Sequence, residues 1–386
     1  DSGVVVGFGE QIVVPNIGYH AVLWDTALIP HILDTPATML FPESTFVQAL
    51  AVNEASVVVG NGRLFAGGAG TRAVRWDSAG SPIVLGDLGS SPAGDTNAAA
   101  WAINSAGDAV GTADKYDAMG NSDGTRAVRW SAATTAAVEL EVLGADSNGV
   151  SESKVFDIND AGFSVGRSLE YVGNDSQSYY AVQWNAAGQV TELGHLPGGF
   201  KTGEAHDINE AGIAVGQAAR PAGFGSSENV AVYWDVNGNA IDLNTLIAPR
   251  ADWVLNTAWA ISDSGWILGE GSHTDEGSTY SRVFMLQIPI PGDFDFDADI
   301  DGRDFLLWQR GGSPNGTPGG PVSASDLADW QANYVTVPLV ATSVAVPEPG
   351  TWEILVAAVV AITASQRQNR YRRKVAKIQS LGEVSL

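Results

Sequence analysis

The stretch that decides the fold runs Val155-Phe156-Asp157-Ile158-Asn159-Asp160-Ala161-Gly162-Phe163-Ser164-Val165-Gly166. Two short apolar segments flank its central Asn-Asp-Ala-Gly. Asn opens such a turn by hydrogen-bonding its own backbone, and Gly takes the positive φ that follows. The stretch therefore predicts a β-hairpin.

The same pattern recurs along the chain with a period near fifty residues. Further copies, some of them looser, begin at Val52, Ala102, Asp207 and Ala260, and the segment from Asp1 to Gly7 resembles the tail of an earlier one. Self-similarity at a fixed period is the signature of a repeat architecture. We therefore expect six related units.

A second block follows each copy and ends in tryptophan, as in Ala181-Val182-Gln183-Trp184. The tryptophans recur every 50 to 54 residues, at Trp24, Trp76, Trp130, Trp184 and Trp234. Val283-Phe284 is predicted to take this place in the sixth unit. A turn and another short strand follow each tryptophan, which predicts a second hairpin. We interpret these tryptophans as buried anchors of the repeat core.

Two hairpins give four strands per unit of about fifty residues, which is typical of a β-propeller blade. The sequence thus predicts an all-β fold, a propeller-like array of about six four-stranded units over residues 1–288. An open stack of hairpins is the alternative. In this register the chain begins at the second strand of unit one, so we expect the domain to be truncated at its N-terminus, and it ends near the third strand of unit six.

The composition excludes several classes of function. The chain has 45 Gly, 17% charged residues and no cysteine, which rules out disulfides and thiolate metal sites. The net charge of −24 disfavours a nucleic-acid partner, because such a surface repels phosphates.

Motifs for catalysis are missing from the sequence, so a non-enzymatic role is expected. The five histidines show no metal spacing, and we interpret His195 and His206 as surface-turn residues. A carboxylate pair for glycoside hydrolysis remains possible, because such pairs meet only in space. Sugar stacking is better sought at the tryptophans outside the repeat register, namely Trp101, Trp253, Trp259 and Trp266.

Residues 289–335 change in character after Pro289 and Pro291. Aspartates stand at loop positions 1, 3, 5, 7, 9 and 12, as Asp293, Asp295, Asp297, Asp299, Asp301 and Asp304. Calcium takes six to eight oxygen ligands, and this spacing wraps carboxylates around one ion. Position 7 normally gives its backbone carbonyl, so the Asp299 side chain is spare. A helix including Phe305 to Trp308 is expected to follow, and Ala298 departs from the usual Gly at position 6.

This loop resembles a dockerin-type repeat, which implies a small α-helical module with a Ca²⁺ site. The second half keeps Asp326 and Trp330 but has Asn315, Thr317 and Gly319 at the early positions. We expect one calcium site and one metal-free copy. A solvated acidic linker is the alternative. A cohesin partner, which the dockerin resemblance would imply, is disfavoured by the degenerate second half.

The C-terminus combines a motif, an apolar run and a basic cluster after a linker over 336–345. The motif is Val346, Pro347, Glu348 and Pro349, and the cluster includes Arg367, Arg370, Arg372, Arg373 and Lys374. Residues 346–377 resemble a PEP-CTERM sorting signal, which implies a transmembrane sorting helix, an exosortase-type processing enzyme and a cell-surface destination; residues 378–386 form a tail. The apolar run, 352–364, is short for a span and contains Glu353, so an interfacial helix is the alternative.

The repeat blocks resemble the HAF-type extracellular repeat family, which implies export but no known reaction. The leading hypothesis is an exported, non-catalytic structural or binding protein of the cell surface or matrix, with a polysaccharide or protein ligand. One alternative is a polysaccharide-binding or polysaccharide-degrading surface protein. Another is a calcium-dependent adhesion module.

Overall fold

A computed structural model gives the architecture. It describes residues 3–11, 18–39, 45–64, 69–172, 175–198, 200–223, 225–247, 252–288, 292, 294, 302–310, 327, 330 and 331.

The described strands form a succession of small antiparallel sheets. Sheet one contains β1 (Val5–Gln11), β2 (Gly18–Trp24) and β3 (Pro30–Ile32), and sheet two contains β4 (Thr45–Val52), β5 (Val58–Leu64), β6 (Gly70–Trp76) and β7 (Pro82–Val84). Sheet three contains β8 (Ala98–Ile103), β9 (Ala109–Tyr116), β10 (Ser122–Trp130) and β11 (Val138–Glu139). Sheet four contains β12 (Ser153–Ile158), β13 (Ser164–Val172), β14 (Asp175–Trp184) and β15 (Val190–Glu192).

Sheet five contains β16 (Gly203–Ile208), β17 (Ala214–Gly223), β18 (Ser226–Trp234) and β19 (Ala240–Asp242), and sheet six contains β20 (Trp253–Ile261), β21 (Trp266–Asp275) and β22 (Ser278–Gln287). A short parallel pairing of β2 with β4 joins sheets one and two. Short 3-10 turns lie at Ala37–Met39 and Leu243–Thr245. Each predicted repeat is therefore one sheet, and the two-hairpin unit is confirmed in sheets two to five.

The first strand of each sheet from two to five contacts the first strand of the next sheet. The first strand of each sheet from two to six contains a β-bulge at the equivalent position, at Leu50, Trp101, Phe156, His206 and Trp259. The bulge explains the Gly of the Val-Gly block: at Gly166, opposite the bulge, an added Cβ would overlap the carbonyl oxygen of Lys154. The same overlap occurs at Gly60, Gly111, Gly216 and Gly269.

Four of the repeated tryptophans lie in the core and reach into the preceding sheet. The Trp184 indole N–H donates to the Glu141 carbonyl at 2.7 Å, just past β11. Equivalent bonds of 2.7 to 2.9 Å join Trp76 to Asp34, Trp130 to Gly86 and Trp234 to Gly194. All four side chains are at most 1% exposed, whereas Trp24 is half-buried. The interpretation as core anchors is confirmed for these four.

The repeated Asn builds a ladder through the sheets. Its Oδ1 accepts the N–H four residues later at 2.9 Å, which closes the predicted turn. Its Nδ2 donates across to the equivalent carbonyl of the next sheet at 3.1 to 3.3 Å, as Asn53 to Asn104, Asn104 to Asn159, Asn159 to Asn209, and Asn209 to Ser262. All four side chains are buried. One amide thus satisfies its own turn and a neighbouring one.

The sixth unit departs from the predicted register. Trp184 and Trp234 stand two pairs away from the Val-Gly glycine, opposite Ser164 and Ala214. In sheet six the equivalent place, opposite Ile267, belongs to Leu286. The prediction that Val283-Phe284 replaces the tryptophan is therefore wrong. Phe284 lies two residues earlier, opposite Gly269, where the missing Cβ leaves room for its ring.

Beyond the sheets, the expected helix is present as α1 (Gly302–Gln309). It begins two residues before Asp304, so this carboxylate lies in the first turn, whereas the sequence placed it ahead of the helix. Among the residues described, no helix is both long and apolar enough to span a bilayer. The linker at 336–345, the sorting signal at 346–377 with its helix, and the tail all lie outside the described residues.

Candidate aromatic binding site

The bulges place aromatic side chains at one position of successive first strands. The aromatic row consists of the residues three positions before the Asn (Ser262 in sheet six) that opens the repeated turn: Trp101, Phe156, His206 and Trp259 in sheets three to six. Leu50 has this place in sheet two. A bulge adds one unpaired residue to a strand and re-aims its side chain. The same β-bulge, repeated in the first strand of each of these sheets, therefore produces the row.

Three members of the row are in ring contact. His206 stacks on Trp259 with centroids 4.8 Å apart and planes 17° apart, and it makes a T-shaped contact with Phe156 with centroids 5.8 Å apart. The His206 Nδ1 lies 3.0 Å from the Ala258 carbonyl oxygen, which fixes the ring. Trp101 is 36% exposed, and its indole N–H donates to the Thr112 hydroxyl at 3.2 Å. The rings form a half-open apolar surface with defined orientation.

A set of polar side chains borders the row in sheets four and five. This charged cluster consists of Glu152, Lys154, Arg167, Tyr179 and Glu204. Arg167 pairs with Glu204 through Nη1, lies 3.7 Å from Glu152 through Nη2, and stands over the Tyr179 ring at 4.2 Å. The Tyr179 hydroxyl donates to Glu152 at 2.6 Å, and Lys154 lies 3.4 Å from the same carboxylate.

Glu204 links the cluster to the row, since its second oxygen lies 3.4 Å from the His206 Nε2. Burial would raise the pKa of Glu204, but the hydrogen bond from His206 and the charge of Arg167 outweigh it and hold that pKa below its usual value. Burial and the hydrogen bond to Glu152 raise the pKa of Tyr179 to about 12. Near neutral pH the cluster thus offers an ionised carboxylate and a neutral phenol. These states suit hydrogen bonding better than acid–base catalysis, which favours pKa values near the working pH.

The structure separates the four tryptophans singled out from the sequence. Trp101 and Trp259 belong to the row. Trp253 lies at the other end of β20, tilted against His273 with centroids 4.8 Å apart, and Trp266 begins β21 half-buried. The interpretation of His206 as a surface-turn residue is wrong, because it lies half-buried in β16. Its alignment with Trp101 and Trp259 before the repeat motif was the signal that could have found it.

Of the predicted calcium ligands, only Asp304 is among the described residues. It is fully buried and accepts the Phe294 N–H at 2.6 Å, which brings loop positions 2 and 12 together. Phe305 contacts Trp308 and Trp330, so the two halves of the module pack through aromatic rings. No group of three or more potential metal ligands occurs within the described part of the chain. Asp293, Asp295, Asp297, Asp299 and Asp301 lie outside that part, as do the sorting motif and the basic cluster.

Comparison with known proteins gives distant structural likenesses only. No protein-family model matches the sequence, and no curated protein matches it. A puromycin hydrolase is 13% identical with a TM-score of 0.33 over 74% of this chain and 50% of that one, so this chain spans half of its length. An ulvan lyase bound to -[GlcA(1-4)Rha3S]- is 12% identical with a TM-score of 0.36, covering 75% and 77%. A mutant of AofleA from Arthrobotrys oligospora is 12% identical with a TM-score of 0.31, covering 71% and 80%. Scores this low do not establish a shared fold.

Proposed function

We propose that this chain is an exported, non-catalytic surface or matrix protein whose repeat domain binds polysaccharide along the aromatic row. The observation that carries the proposal is the row itself: partly exposed rings repeated at one bulged position of neighbouring strands. In this proposal the six sheets are the blades of a propeller, and their first strands line its axis. A polymer of similar units matches a surface whose contact groups also repeat.

The chemistry of the row supports a sugar ligand. Aromatic rings present an electron-rich face, and the C–H groups of a pyranose pack onto that face. Ligand sites combine such apolar area with a few well-placed polar groups that fix orientation. The charged cluster supplies those groups beside His206, and its contacts hold them in place before a ligand arrives.

Replacing Trp259 by alanine is expected to weaken polysaccharide binding at least tenfold, because truncating a central aromatic contact costs about 2 kcal/mol. The wild-type chain would be screened against soluble polysaccharides by affinity electrophoresis, and hits measured by calorimetry. Trp253→Ala is the matched control, since it removes an equal side chain outside the row. Equal losses in both variants would contradict the proposal, and so would a wild-type chain that binds no polysaccharide.

We further propose that the acidic loop holds one Ca²⁺ through the carboxylates of Asp293, Asp295, Asp297, Asp301 and Asp304, with Asp299 giving its backbone carbonyl. The donor set fits this hard cation, which is bound by oxygen ligands alone. The burial of Asp304 and its bond to Phe294 favour a closed loop. The ion would neutralise several carboxylates and brace the start of α1.

Calorimetric titration of the full chain with calcium is expected to show a single site. Asp293→Ala together with Asp297→Ala should abolish it, because too few charged ligands remain. Asp326→Ala, in the degenerate second half, is the control and should leave the site intact. A wild-type chain without heat at millimolar calcium would make this segment an acidic linker.

We also propose that the segment at 346–377 directs export. Its order of Pro-Glu-Pro motif, apolar run and basic cluster suits a segment that pauses in the membrane with its arginines on the cytoplasmic side. An exosortase-type enzyme would then act near Val346 to Pro349. Intact-mass measurement of the surface-exposed protein tests this, because a chain that still carries residues 350–386 would contradict cleavage.

A further inference from the structure

Glu204 is placed where a ligand on the aromatic row would meet it. It precedes His206 by two residues on β16, and its carboxylate lies 3.4 Å from the His206 imidazole, so the two side chains lie on the same side of that strand. Its side chain is 21% exposed, compared with 9% for His206. The carboxylate is thus partly open to solvent beside the stacked rings.

The two protein contacts of Glu204 do not exhaust its acceptors. One oxygen accepts from Arg167 and the other lies within reach of His206. A carboxylate has about four lone-pair sites, so about two remain for a ligand. Arg167 is itself held by Glu152 and the Tyr179 ring, and the position of the Glu204 carboxylate is therefore set in advance.

The cationic side chains of the charged cluster already pair with carboxylates of the protein. Lys154 pairs with Glu152, and Arg167 pairs with both Glu152 and Glu204. His206 lies between the Ala258 carbonyl and Glu204, two acceptors. A carboxylate or sulfate on the ligand would therefore approach Glu204 with no uncompensated positive charge to receive it. Hydroxyl groups, which donate, suit the open lone pairs.

We propose that the aromatic row takes a neutral, hydroxyl-rich polysaccharide and that Glu204 both accepts hydrogen bonds from its hydroxyl groups and excludes uronate-bearing or sulfated chains. This inference rests on the proposed function, because it assumes that the row binds polysaccharide. The net charge of −24 acts in the same direction by repelling polyanions at long range, although salt screens that effect. The short-range effect at Glu204 persists in salt.

Glu204→Gln separates the two ligand classes by the sign of its effect. The probes are neutral glucan, mannan and xylan oligosaccharides and, against them, polygalacturonate and a sulfated galactan, measured by calorimetry. For a neutral ligand the variant should lose about tenfold in affinity, since its amide has one uncharged acceptor oxygen in place of the two charged oxygens of the carboxylate. For an acidic ligand it should gain affinity, because a like charge is removed.

Two further variants make the outcome decisive. Glu192→Gln removes the same charge from β15, away from the row, and should leave neutral binding unchanged. Glu204→Asp keeps the charge but draws the carboxylate back, so neutral binding should again weaken with no gain for acidic probes. If acidic probes bind the wild-type chain and bind Glu204→Gln no more tightly, this inference is overturned and the proposed function still stands. If neither class binds the wild-type chain, the proposed function itself fails.

Discussion

Trp184→Ala is expected to lower the free energy of unfolding by about 4 kcal/mol, the range for removing a fully buried aromatic ring. The ring lies in a core cluster formed between two sheets: Ala127 of sheet three and Leu140, which follows β11, lie on one side, and Val155 and Val182 of sheet four on the other. Removing it opens a cavity at this junction and leaves the Glu141 carbonyl without its indole donor. Urea denaturation followed by circular dichroism would measure the change.

Trp184→Phe separates the two contributions. It keeps most of the apolar volume and removes the indole N–H, so a loss of about 1 kcal/mol is expected, the usual net contribution of one hydrogen bond. Trp24→Ala serves as the comparison, because that side chain is half-buried in sheet one and should cost less. If Trp184→Ala cost no more than Trp24→Ala, the tryptophan would not be an anchor between sheets.

The repeat pattern predicted the units because each one carries local signals that act within a few residues. The Asn-to-Gly turn, the tryptophan and the alternating apolar positions specify two hairpins wherever they occur. Gly107, Gly162 and Gly212 adopt the positive φ that the turn requires, at 89°, 81° and 81°. In the second unit Ser56 takes this conformation at φ 59°, so a looser copy of the motif still folds in the same way.

The contacts between units could not be predicted from the sequence pattern. The Asn motif predicted a turn, but its second bond, about fifty residues away, depends on how neighbouring sheets stack. The aromatic row was not predicted for a similar reason. Its members are Trp, Phe, His and Trp, and the feature that they have in common is the bulged position in the strand, which the sequence does not show. The misplaced sixth unit shows the converse. Counting fifty residues found Phe284, whereas strand register assigns the place to Leu286.

Asn159→Ala is expected to lower the free energy of unfolding by about 2 to 3 kcal/mol, because a buried side chain loses two hydrogen bonds. One is the turn bond from the Phe163 N–H to Oδ1, and the other runs from Nδ2 to the Asn209 carbonyl. Asn185→Ala is the matched control: Asn185 closes an equivalent but exposed turn by accepting from Ala187 and Gln189. Its loss should cost about 0.5 to 1 kcal/mol, as for a surface cap.

Asn159→Ser tests whether the ladder couples neighbouring sheets. Serine occupies this place in unit six, where the Ser262 hydroxyl accepts the Trp266 N–H at 3.0 Å. The variant thus keeps a turn acceptor and removes the donor to the next sheet, and it should cost about 1 to 1.5 kcal/mol. In a repeat array, stability is approximately a sum of unit terms and interface terms. A weakened interface should therefore also broaden the urea transition, whereas Asn185→Ala should leave its slope unchanged. Equal slopes in both variants would mean that Asn159 acts only within its own turn.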